Sequence, residues 1–177
     1  MGDSKTIITQ AFEKYADELF RYCVFRVSDH ERARELTQDT YLKAWEYMQK
    51  GEPVRECRAF LYQILRNLII DEYRKKKSVS LEALISDDTN EIIESMIPKS
   101  DIDEMESALN RFEAARVLVS IKKLPELYQE MLLYRYINSL TISEIATITG
   151  ESENVISVRV HRGLKMMRTI LENEKTL

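Results

Sequence analysis

The chain has 177 residues, 44% apolar and 32% charged, which suits one ordinary or two small folded domains and excludes a disordered polypeptide. Only 4 Gly and 3 Pro stand among many Leu, Ile, Glu, Lys and Arg, so the composition favours an all-helical fold. The net charge of −4 argues on its face against a nucleic-acid partner, but residues 55–77 carry net +4 and residues 114–177 net +2, against −2 for 1–54 and −8 for 78–113. Two basic segments therefore flank an acidic one, and each basic segment is a candidate phosphate-binding surface.

No apolar run approaches the roughly 18 residues of a membrane span. The N-terminus, MGDSKTIITQ, lacks the basic-then-apolar order of a signal peptide. A cytoplasmic location is expected. Cys23 and Cys57 have no ligand spacing and read as buried thiols in a reducing compartment.

The first predicted helix covers residues 5–27, with Phe12, Tyr15, Ala16, Leu19, Cys23 and Val27 on its apolar side. A second starts at Ser28, which forms an S-x-x-E capping box with Glu31, and runs to about Lys50, where Gly51 and Pro53 stop it. Its inward arc is Ala33, Thr37, Thr40, Tyr41, Ala44 and Met48, with Trp45 expected to pack toward the same domain. The opposite side carries Gln38, Asp39, Leu42 and Glu46. Leu42 is thus an apolar residue on a polar face, the centre of a candidate protein-docking patch. A third helix spans 57–77, with Phe60, Leu61, Ile64, Leu65 and Leu68 as its stripe. Tyr62, Gln63, Arg66, Asn67, Tyr73 and Arg74 occupy much of its remaining surface, followed by three lysines. Aromatic rings interleaved with cations suit unpaired bases, although a basic helix end also favours the helix dipole without any ligand.

Residues 78–105 are acidic and sparsely apolar, and are expected to be a flexible linker with at most a short helix. A second helical set follows over 106–172. One helix covers 106–123, and Pro125 is expected in the first turn of another reaching Ile137. Thr141 and Glu144 form a T-x-x-E box at the start of a short helix. Gly150 fits a left-handed exit, and Ser152 caps a long final helix. Residues 141–168 thus have helix-turn-helix form, with Ile142, Ile145, Ala146, Ile156, Val160 and Leu164 facing inward. Asn154, Ser157, Arg159, His161, Arg162, Lys165 and Arg168 lie on the other side, with no acid from Asn154 to Ile170. A major groove admits one such helix. There is no P-loop, no GxGxxG and no HExxH, and His30 and His161 have no catalytic or ligand spacing, so neither an enzyme nor a cofactor is expected.

Three blocks carry a resemblance. ARELTQDTYLKAWEYM (33–48) is similar to the polymerase-binding helix of extracytoplasmic-function sigma factors, with its A-x-D-L-T-Q-E/D-x-F-L-K-A-W pattern. RAFLYQILRNLIIDEYRKKK (58–77) resembles the adjoining F-R-A-W-L-Y-R-I-A-R-N-L-x-x-D-x-x-R helix, with Phe60 where a tryptophan is usual. Residues 124–167 resemble the C-terminal L-P-E-x-x-R … E-I-A … S-R-L-H-R-A pattern, except that 154–158 read NVISV where many relatives have G-T-V-K-S.

The resemblance implies a first domain, 5–77, that binds core RNA polymerase and melts the −10 element, and a second, 106–172, that binds the −35 duplex. It places Gln38, Asp39, Leu42 and Glu46 at the polymerase. It places Arg55, Arg58, Tyr62, Gln63, Arg66, Asn67 and Arg74 at the −10 strand, with a flipped base held by the loop before the third helix. It places Asn154, Ser157, Arg159, His161, Arg162 and Lys165 at the −35 element. It also implies an anti-sigma factor, often membrane-tethered. Two other functions remain open on the residues alone: a helix-turn-helix regulator that does not recruit polymerase, and a protein-interaction adaptor.

Overall fold

The computed structural model describes residues 2–79 and 104–175, and among them every regular element is helical. The chain divides into two compact units, Met1–Asp88 and Thr89–Leu177. The first contains α1 (Gly2–Val27), α2 (His30–Gln49) and α3 (Cys57–Val79). The second contains α4 (Glu104–Lys122), α5 (Glu126–Leu132) running into a π-helical turn (Leu133–Ile137), α6 (Ile142–Thr149) and α7 (Glu153–Lys175). Helix α3 reaches Val79 and α4 starts at Glu104, so the rest of the segment expected as a linker lies outside the described residues.

In the first unit each helix packs on the other two. The core is built from Leu19, Tyr22, Cys23, Val24 and Phe25 of α1, Ala33, Leu36, Thr40 and Ala44 of α2, and Leu61, Tyr62, Leu65 and Ile69 of α3. All six residues of the expected α2 arc are buried. Its two threonines are satisfied locally: Thr37 Oγ1 donates to the Ala33 carbonyl at 2.7 Å and Thr40 Oγ1 to the Leu36 carbonyl at 2.8 Å. Burial pushes the Cys23 thiol up to about 12, against the opposing pull of Arg32 and Arg26.

The junction between α1 and α2 corrects the expected cap. Ser28 takes a left-handed φ of 55° and its N–H donates to the Val24 carbonyl at 2.8 Å, which ends α1. A residue in that conformation cannot serve as N-cap, because a cap needs extended backbone. Asp29, at φ −153° and ψ 114°, takes the role, and its carboxylate accepts from the Arg32 N–H at 2.9 Å.

Cross-helix polar contacts fix the bundle. Arg32 Nη2 lies 2.6 Å from Glu72 Oε2, joining α2 to α3, and hydrogen bonds to Glu72 and Glu35 raise the guanidinium above its ordinary range. Arg58 grips Glu18 with two hydrogen bonds of 2.8 and 2.9 Å, joining α3 to α1. The Tyr73 hydroxyl donates to the Arg26 carbonyl, a second tie between those helices.

In the second unit, α7 packs on α5 and α6, and α4 touches α5 and α7. Pro125 is the residue before α5 rather than its first residue: its ψ of 144° is extended, and its carbonyl accepts from the Tyr128 and Gln129 N–H groups. The expected single helix to Ile137 widens into a π-turn from Leu133. That turn buries Leu133 and Tyr134, and closes when the Asn138 N–H donates to the Leu133 carbonyl at 2.9 Å.

Candidate functional site

The outer face of α2 is held in place by the buried arc behind it. Gln38, Asp39 and Glu46 are exposed, and Leu42 is 51% exposed. Trp45 departs from expectation. It is 42% exposed rather than packed into the unit, because the neighbouring positions Tyr41 and Ala44 already fill the inward side. Leu42 and Trp45 are one helical turn apart, so they form one apolar island ringed by an amide and acids. The position of Trp45, three residues beyond Leu42, was the sequence signal for this pairing.

Helix α3 and the loop before it separate the expected −10 residues into two groups. Tyr62 is fully buried, edge-on to Tyr22 with ring centroids 5.5 Å apart, so its ring is not presented for stacking on a base. Arg58 is committed to Glu18, with its guanidinium also over the Tyr15 ring. Both were expected at the DNA surface; both instead hold the bundle together. Gln63 and Asn67 are exposed, Arg66 is half-buried, and Arg74 is 77% exposed with a 3.5 Å contact to Asp71. These four share one side of α3 at helical spacing, and exposed Arg55 stands in the loop at the start of the same helix.

The helix-turn-helix is built by local rules. Thr141 Oγ1 accepts from the Glu144 N–H at 3.1 Å while the Glu144 carboxylate accepts from the Thr141 N–H at 2.8 Å, completing the expected capping box. Gly150 has φ 73°, the left-handed exit that favours glycine, and nothing crowds its missing side chain. Ser152 Oγ accepts from the Val155 N–H at a long 3.4 Å and opens α7.

Ile145, Ile148, Ile156 and Val160 are buried in the hinge between α6 and α7. Leu164 was expected to extend that row but is 39% exposed. Gly163 is buried in its place: a Cβ there would lie 3.4 Å from Leu132 and Tyr128, so the glycine faces α5 and Leu164 is turned to the edge.

On the outer side of α7, Asn154, Ser157, His161, Arg162, Lys165 and Arg168 are all exposed. Arg159 differs, being half-buried and ion-paired with Glu151 from the turn. Val155 and Val158, which the sequence reading left without a role, are exposed on the same outer side. Among the described residues no helix is long and apolar enough to cross a membrane, and no three His, Cys, Asp or Glu side chains cluster as a metal site requires.

The first unit is a three-helix body with an apolar island on one helix and a polar-basic stripe on the next, and the second carries a capped helix-turn-helix, a fold class found in DNA-binding proteins. Residues 11–79 match the model of sigma-70 region 2 and residues 114–167 that of sigma-70 region 4. The chain is 28% identical over 162 residues to the ECF RNA polymerase sigma factor SigL of Mycobacterium tuberculosis, covering 91% of this chain and 86% of that protein. It is 24% identical over 160 residues to SigW of Bacillus subtilis, covering 90% and 86%. Its fold is similar to that of the sigma factor RpoE solved with the anti-sigma factor NepR from Bartonella quintana, at TM-score 0.67 and 20% identity over 93% of this chain and 96% of that one. CnrH, solved with the cytosolic domain of CnrY, gives TM-score 0.66 at 20% identity, over 96% and 90%. The chain belongs to the extracytoplasmic-function branch of the sigma-70 family of RNA polymerase sigma factors.

Proposed function

We infer that this chain is an alternative sigma factor: it binds core RNA polymerase and directs initiation at a particular set of promoters, acting in the cytoplasm without a catalytic step of its own. The observation that carries this is the presence of both sigma-70 regions, in order, on one chain. A regulator that does not recruit polymerase needs only the second.

The proposed division of labour follows from what each unit leaves exposed. Residues 5–77 form the polymerase and −10 domain, and 106–172 the −35 domain. The island of Leu42 and Trp45, with Gln38, Asp39 and Glu46 around it, docks on polymerase: the apolar pair supplies buried area and the acids select a basic partner surface. Arg55, Gln63, Arg66, Asn67 and Arg74 track the −10 strand. Arg162, Lys165 and His161 meet −35 phosphates, while Asn154 and Ser157, nearest the start of α7, reach base edges. Arg159 acts from its pair with Glu151, which holds it against the turn. An anti-sigma factor is the proposed restraint. A solved neighbour of this fold, RpoE, was captured with such a partner, and covering the α2 island would block polymerase directly.

A mobility-shift assay separates the two principal functions. The sigma factor is expected to bind promoter duplex appreciably only with core polymerase present. Tight, sequence-specific binding by the protein alone, unchanged when core is added, would instead identify a regulator of the second kind.

A further inference from the structure

Val155 and Val158 stand one turn apart on α7, with 38% and 42% of their surfaces open to solvent. The core side of the helix is already occupied by Ile156, Val160 and Gly163. Around the two valines the exposed residues are Asn154, Ser157, His161, Arg162 and Lys165, and the stretch from Asn154 to Ile170 holds no acid. One exposed apolar side chain is ordinary. Two β-branched ones in the first turns of a helix are not explained by helix propensity, since valine is a poorer helix former than alanine, lysine or glutamine.

Positions 155, 158 and 162 fall at i, i+3 and i+7, so the two valines and Arg162 make a single stripe. An apolar pair followed by a cation has a chemical counterpart in a major groove. Thymine presents a C5-methyl there, and a phosphate backbone borders it.

We propose that Val155 and Val158 read thymine methyl groups in the −35 duplex, and so set which base pairs this protein selects. The proposal rests on the promoter-binding function given above and assigns part of its specificity to two side chains with no hydrogen-bonding capacity. Three residues of helix rise roughly 4.5 Å, against a base step of about 3.4 Å. The two valines therefore address neighbouring base pairs rather than one. Arg162, a further turn along, anchors the stripe on the backbone, while Asn154 and Ser157 remain available for polar base edges.

The test uses the full chain with core polymerase. Selection from a randomised duplex library gives the preferred −35 sequence. Each thymine in it is then replaced by uracil, which removes the methyl and leaves every hydrogen-bonding group in place. Binding is expected to weaken roughly fourfold for each contacted methyl, the transfer of one methylene-sized group expressed as affinity. Two neighbouring pairs should respond. Val155→Ala and Val158→Ala should each bind the thymine and uracil duplexes equally at one of those pairs, and both variants should fold because neither side chain is in the core.

A holoenzyme that selects a −35 sequence but binds its thymine and uracil forms alike overturns the methyl contact while leaving the promoter function standing. Failure to enrich any duplex overturns the promoter function and this proposal with it. Alanine variants that lose core polymerase while the thymine preference persists would assign the two valines to protein contact, which also overturns the proposal.

Discussion

The two units solve the same problem, exposing a binding surface on a small helical body, by different means. The first is tied by long-range side-chain contacts: Arg58 to Glu18 and Arg32 to Glu72, each across 40 residues of sequence. The second has its helix-turn-helix shaped by near neighbours: the Thr141–Glu144 box, Gly150 and the Ser152 cap. In the first unit Arg58, a cation that looked available for DNA, is paired across the bundle with Glu18. In the second the outer side of α7 keeps all its cations but Arg159. A basic residue on a helix cross-linked to distant partners therefore has a structural role to weigh before any ligand is assigned to it.

The comparison breaks most sharply through stability. Leu65→Ala empties a fully buried position in the first unit and should cost about 3 kcal/mol there. If the units are independent domains, calorimetry will show one transition lowered and the other unmoved; a common shift of both would mean that they unfold together. Arg58→Ala should also destabilise the first unit, by about 2 kcal/mol, because it leaves the part-buried Glu18 carboxylate without its two hydrogen bonds. Arg55→Ala, in the exposed loop, should leave stability unchanged and weaken −10 binding. Chemical denaturation together with binding to a single-stranded −10 oligonucleotide by holoenzyme separates these two roles.

In the second unit, Arg162→Ala should weaken −35 binding at all sequences alike and lower the salt slope by about one. Unchanged affinity and salt dependence in a titration of holoenzyme would mean that α7 docks something other than DNA. The smallest effect concerns Gly163. A Cβ there meets Leu132 and Tyr128 at an ordinary 3.4 Å, so Gly163→Ala is expected to stabilise the unit by up to about 1 kcal/mol through helix propensity, read as a raised Tm. A lowered Tm would show that the α5–α7 contact has no room to give.

What was legible in the sequence divides along the same line. The inward arc of α2, the Thr141 box and the Gly150 exit were readable because periodicity and capping are properties of adjacent residues. The exposed Leu42 followed from the same arc. The commitments of Arg58 and Tyr62 were not readable, since a helical wheel shows where a side chain points and not what stands opposite it. At the α1–α2 junction two candidate caps lay side by side, and the choice of Asp29 depended on the left-handed backbone of Ser28, which composition does not announce. Leu164 was misplaced because the glycine beside it, rather than the larger residue, faces Leu132 and Tyr128. Trp45 was placed toward the interior of its domain, although Tyr41 and Ala44 fill that side.

The central claim is that the α2 island brings polymerase to a promoter, and run-off transcription tests it most directly. Core polymerase with this protein, on the region upstream of its own gene, should give a discrete transcript absent without it. Asp39→Arg should reduce that transcript about tenfold or more while leaving the melting transitions in place, because Asp39 is exposed and reversing its charge opposes a basic docking surface. Undiminished transcription by a folded Asp39→Arg protein would contradict the placement of polymerase on α2, and no transcript from the unaltered protein at any promoter it binds would contradict the sigma-factor account itself.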